Sequence, residues 1–203
     1  MKFDFSSIQF DYNSKVIITY LILSLIAWFL NIISHGKANK LLFENYRSSW
    51  LNPLTYVRLF THSIGHENWD HLVGNFLYIL LVGPMIEEKY GSINLLIMLL
   101  ITSLVIALYN IIFTNCSILG ASGNVYMLIV LSSFANISDG KIPITVLLIF
   151  VFYIISEVKK KVLSGRKDKT YHDGHLLGAV CGILFGIFFL NHSNLIDVVK
   201  MIK

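Results

Sequence analysis

The chain has 203 residues, of which 55% are hydrophobic and only 14% charged, where soluble domains carry about 25% charged residues. Its mean hydropathy is +0.68. With 16 Lys/Arg and 12 Asp/Glu it cannot solvate the exterior of so apolar a globule; this excludes a soluble enzyme, a disordered chain and a nucleic-acid-binding module, and leaves a polytopic helical membrane protein. The formal charge of +4 then concerns lipid headgroups and topology. Two cysteines, Cys116 and Cys181, are too few for a disulfide scaffold.

A spanning helix needs about 20 mostly apolar residues. Six runs qualify. Val16 to Ser34 is uncharged and reads as an uncleaved first span. The second contains Phe76 to Ile86 and must start near Trp69 to reach spanning length. Ile93 to Phe113 and Ile118 to Ile137 follow, the latter closed by Asp139-Gly140. Ile142 to Ser156, extended by Glu157 and Val158, is the fifth; about Gly174 to Leu190 is the sixth. The expected fold is thus an all-α membrane protein of six transmembrane helices: a membrane domain over 16–191 between short segments 1–15 and 192–203. The chain is expected to be integral and multi-pass, in the cell membrane, with the lipid bilayer as its first partner.

The connections differ in character. Gly36 to Asn68 carries Trp50, Pro53, Tyr56 and Phe60, and reads as a structured loop at the membrane interface, where aromatic rings are favoured. Tyr90-Gly91-Ser92 is a tight turn, Thr114 to Ser117 a short link, and Lys159 to Lys169 a basic loop. With six spans both termini share a side with Lys2, Lys15, Lys89, Lys141, Lys200 and Lys203, while Lys37, Lys40, Arg47, Arg58 and the six Lys/Arg of 159–169 lie on the other. Taken alone, the positive-inside rule puts the termini outside.

Polar groups inside apolar spans are costly and mark functional sites. Gly120-Ala121-Ser122-Gly123 heads the fourth span; a serine at a helix start lies beside free backbone N–H donors that suit an oxyanion. The same small residues also suit plain helix packing. Tyr126 shares a face with Ser122. In the sixth span, Gly178, Gly182 and Gly186 form a stripe for close helix approach, with His175 on it, and the histidine is either a base or an interfacial bystander. His71 and Asn75, four apart on the second span, are two side-chain donors aimed one way, as an oxyanion site needs. His62 and His66 have the spacing of a zinc pair, with His71 or His172 as a further ligand, but no cysteine or inward carboxylate joins them, so no metal or other cofactor is assigned. A serine, a base near pH 7 and oxyanion donors on three spans form one nucleophilic set.

With those residues the sequence resembles the rhomboid family of intramembrane serine proteases. The signatures are His71-x-x-x-Asn75, Gly120-Ala121-Ser122-Gly123 and Gly174-His175-x-x-Gly178-x-x-x-Gly182, within a likeness running from about Asn52 to Gly186. The resemblance implies a six-helix rhomboid bundle with an interfacial first loop, and a Ser–His dyad without a third acid. Ser122 would be the nucleophile and His175 the general base. His71, Asn75 and the Ser122 N–H would form the oxyanion hole. Tyr126 would pack on the dyad histidine, Gly178 and Gly182 would seat the sixth helix on the fourth, and Glu87 would be structural. It implies a serine endopeptidase acting on transmembrane protein substrates, with both termini in the cytoplasm against the charge count. The alternative is a non-catalytic rhomboid-like binder of client transmembrane helices. Where the family's first loop often reads Trp-Arg, this chain has Val57-Arg58.

Overall fold

The computed structural model describes residues 12–114, 116–135 and 172–191, with six helical positions between 144 and 159. The expected fifth span, the basic loop 159–169 and the two terminal segments lie outside these, apart from those six positions and residues 12–15. The chain is an all-α membrane protein, integral and multi-pass. Four helices are long and apolar enough to cross a membrane: α1 (Lys15–Ile33), α3 (Trp69–Tyr90), α4 (Ser92–Phe113) and α6 (His172–Asn191, apolar to Leu190). Two shorter α-helices are α2 (Pro53–Thr61) and α5 (Ser122–Phe134).

Helix α1 buries Ile17, Tyr20, Ser24 and Ala27, a single face at helical spacing, and exposes Ile22, Leu23, Ile26, Phe29 and Leu30 on the others. That is the pattern of a peripheral helix facing lipid. No side chain of its own caps its start. Instead Glu87, 4% exposed near the end of α3, accepts from the backbone N–H of Val16 (3.0 Å) and Ile17 (3.2 Å) and from Ser92 Oγ (2.7 Å). One carboxylate thus answers the unpaired donors and positive dipole of a helix start.

Residues 34–68 are structured, as the aromatic content predicts. A π-helical turn spans Asn39–Phe43, and α2 begins at Pro53 behind an Asn52 cap that accepts from Leu54 N. The loop turns Trp50, Leu51, Tyr56, Val57 and Phe60 outward. Its arginines are not free charges. Arg58 is 2% exposed, lies 4.3 Å over the Tyr46 ring and donates to Leu54 O and Ser48 Oγ. Arg47 donates to the carbonyls of Ile111 (2.8 Å) and Ile112 (2.7 Å), closing the negative end of α4. Of the cations in the topology count, Arg58 is thus engaged inside the fold and Arg47, at the surface, is tied to a helix end.

Gly91, at φ 85°, makes the sharp turn from α3 into α4. Helix α4 is the most internal long helix, burying positions from Asn94 to Ile111 at three- and four-residue steps. Helix α5 is surrounded on almost every side, and α6 lies along it. The expected fourth span is corrected at its start. Ile118 is not helical: it exchanges backbone hydrogen bonds of 2.9 Å with Asn45, and Gly120 has φ 124°, which a right-handed helix cannot contain. The helix starts at Ser122. Its 13 residues rise only about 20 Å at about 1.5 Å each, less than the about 30 Å hydrocarbon thickness. The described residues ahead of it, 116–121, are not helical.

Candidate active site

Ser122 is the first residue of α5, where the leading N–H groups have no intrahelical acceptor. His175 lies in the first turn of α6, which starts at His172, two residues before the expected Gly174. The glycine stripe of α6 brings the two together. A Cβ on Gly178 would lie 2.1 Å from Gly123 O, one on Gly182 would lie 2.6 Å from Met127 O, and one on Gly186 would run into the Phe134 ring. Backbone therefore rests on backbone, and His175 Nε2 reaches 3.0 Å from Ser122 Oγ. The Tyr126 ring packs on the imidazole with centroids 4.3 Å apart. His172 lies edge-on to His175 at 6.1 Å.

A cavity of about 610 Å³ opens above this pair, lined by Ser122, His175, His71, Asn75, Gly120 and Glu67 among others. Asn68 caps α3 by accepting from His71 N, which sets the helix phase for His71 and Asn75. Both face the turn before Ser122: a Cβ on Gly120 would lie 2.6 Å from His71 Nε2 and 3.7 Å from Asn75 Nδ2. Gly120 needs to be glycine both for that approach and for its positive φ. A serine hydroxyl bonded to an imidazole, with side-chain and backbone donors across a small opening, is arranged for acyl transfer. The structure brings together Ser122, His175, Tyr126, His71, Asn75 and Gly120, and it puts Gly178 and Gly182 in the α5–α6 contact.

The segment entering Ser122 is held from behind. His62 O accepts from Gly120 N (2.8 Å), while its Nε2–H donates to Ser103 O of α4 (3.0 Å). Asn124 donates to Tyr20 Oη and Ser103 Oγ, and Tyr20 donates to Ser63 O. These ties join α1, α4 and the loop before α3 to the second residue after the serine, inside α5. Burial pushes the His62 imidazole down to about 4, and burial together with nearby His71 does the same to His66. Both stay neutral near pH 7. His62 and His66 do not converge as a metal pair, because each ring is committed to a different partner; among the described residues no three His, Cys, Asp or Glu gather as a metal site.

The roles of Asn124, Tyr20 and Ser103 in bracing the serine escape sequence reasoning. The one available signal is polarity: Asn124 is an amide inside an apolar helix two residues beyond the serine.

A family model described as a rhomboid domain matches residues 53–192. Among curated proteins, Rhomboid-related protein 1 of Caenorhabditis elegans is 32% identical over 138 residues, covering 62% of this chain and 37% of that protein. Rhomboid-like protein 11, chloroplastic, of Arabidopsis thaliana is 28% identical over 142 residues, covering 64% of this chain and 51% of that protein. The chain thus spans about half or less of the length of these relatives.

Proposed function

Since this chain belongs to the rhomboid family, we propose that it is an intramembrane serine endopeptidase that hydrolyses peptide bonds in or near transmembrane helices of membrane proteins. The observation that carries this reading is the 3.0 Å contact of His175 Nε2 with Ser122 Oγ under the cavity. Ser122 Oγ attacks the scissile carbonyl carbon as neutral His175 takes its proton. The carbonyl oxygen becomes an oxyanion held by His71, Asn75 and the Ser122 N–H. His175 returns the proton to the leaving amine, and water, activated by the same imidazole, releases the acyl group from Ser122. Tyr126 holds the ring of His175 in place. The membrane domain is assigned to 16–191.

An intact helix hides its carbonyls in i→i−4 bonds, so the substrate must unwind before attack. This favours small or helix-breaking residues near the end of the substrate helix. The test is cleavage of a model transmembrane substrate by the purified chain in liposomes. Ser122→Ala and His175→Ala should each abolish cleavage with the thermal midpoint retained; cleavage persisting in either variant sinks the dyad. A fluorophosphonate that labels the wild type but not Ser122→Ala separates the protease from a non-catalytic binder of client helices.

A further inference from the structure

His66 is 0% exposed, yet the dyad chemistry does not use it. Its ring is bonded at both nitrogens. Nδ1 lies 3.0 Å from Ile64 O, and a carbonyl only accepts, so Nδ1 carries the proton. Nε2 is then a lone pair. Two donors point at it: Asn75 Nδ2 at 3.1 Å and the backbone N–H of Ala121 at 3.4 Å. The rings of His71 (centroids 5.1 Å, near-perpendicular) and Phe76 (5.9 Å) hold the plane of the imidazole.

From these contacts we infer that His66 is a positioning residue for the oxyanion hole, aiming both its side-chain and its backbone halves through one neutral acceptor. This rests on the protease reading above. A side-chain amide has two nearly isosteric ends, and only one suits an oxyanion. With Oδ1 toward the reaction, Asn75 would repel the developing charge; with Nδ2 toward it, Asn75 donates. The His66 lone pair selects the second state, because a flipped amide would set Oδ1 against Nε2, acceptor against acceptor. One amide proton goes to His66 and the other stays free. The bond from Ala121 N fixes the Gly120–Ala121 peptide, and so the turn that presents the Ser122 N–H. Ile64 O sets the tautomer, the tautomer sets the amide, and the amide sets the hole. The imidazole keeps its lone pair near neutral pH, because burial holds it down to about 4.

The experiment measures kcat and KM for a model transmembrane substrate in liposomes. His66→Phe keeps the ring and removes the acceptor. It should lower kcat about 10- to 100-fold, less than the roughly 100- to 1,000-fold that loss of a donor itself costs, with KM within about twofold. His66→Gln puts a carbonyl oxygen near the position of Nε2 and should restore most of kcat. In an Asn75→Ala background, His66→Phe should cost less than it does in the wild type, since only the Ala121 half of its role remains. A full multiplicative loss in that background, an unchanged kcat in His66→Phe, or a loss confined to KM overturns the assignment and leaves the protease standing. Wild-type protein that cleaves nothing overturns the protease reading and this role together. Should His66→Phe fail to fold, nitrogen NMR of histidine-labelled wild type decides: an Nδ1-protonated His66 supports the role, and an Nε2-protonated one ends it.

Discussion

Gly178 of α6 rests against Gly123 of α5, so close that a methyl group on Gly178 would meet the Gly123 carbonyl oxygen at 2.1 Å. The obstacle is backbone, which cannot swing aside as a side chain can. Gly178→Ala should therefore push α6 away and cost about 1–3 kcal/mol or more of stability. The separation of His175 from Ser122 would widen with it. Thermal unfolding in detergent and substrate cleavage should fall together. Gly74→Ala, where a Cβ meets nothing within 4 Å, should leave the thermal midpoint unchanged or higher.

Asn75→Ala should reduce kcat by about 100- to 1,000-fold with little change in KM, the mark of a donor used mainly in the transition state. A fall in KM-dependent terms alone would place Asn75 in substrate binding instead. Steady-state kinetics on one substrate makes the distinction.

Glu87→Ala should leave the part-buried N–H of Val16 and the buried N–H of Ile17 without an acceptor. Each unsatisfied buried donor costs about 1–3 kcal/mol. The thermal midpoint should drop clearly, with the residual cleavage per folded molecule preserved at low temperature. Glu87→Gln retains an acceptor oxygen and should lose less.

Acid should destabilise the fold through His62 and His66. Both are held at about 4 against the ordinary 6.5, so between those values the unfolded chain binds more protons than the folded one. Their stabilising contribution is complete above pH 6.5 and is lost as pH falls toward 4. Thermal midpoints measured across that window should decline, and His62→Gln should flatten the decline.

Tyr126→Phe keeps the ring on His175, at 4.3 Å between centroids, and should retain most activity. Tyr126→Leu removes the flat face and should cut kcat more than it cuts stability. Paired cleavage and unfolding measurements test this.

The spanning helices were legible because lipid imposes a length and an apolar content that a sequence displays directly. The second span illustrates it: only the need for about 20 residues places its start at Trp69, where the structure has it. The start of α5 was not legible. Ile118 is apolar and continues the run, but its pairing with Asn45 is a contact across 73 positions that no local period records. Arg58 and Glu87 are similar cases, since the cap each provides or the ring each meets belongs to a distant segment. The His62–His66 spacing allows a zinc pair, a reading the sequence already disfavours for want of a cysteine or inward carboxylate; α2 ends at Thr61, so the pair does not share a helix face. Ser122, His175, His71 and Asn75 stand out by polarity and spacing, whereas the bond from Asn75 to His66 joins side chains that no local period pairs.

The short length of α5 also bears on the electrical integrity of the bilayer. The proposed hydrolysis needs water at Ser122, yet a continuous file of water across the membrane would conduct protons. Below the serine, Val125, Met127, Leu128, Val130 and Leu131 are buried apolar residues packed into the core. The cavity above Ser122 is bordered along this side by the same helix, through Val125, Tyr126 and Ile129. The protease proposed above would then need no file of water along the rest of α5.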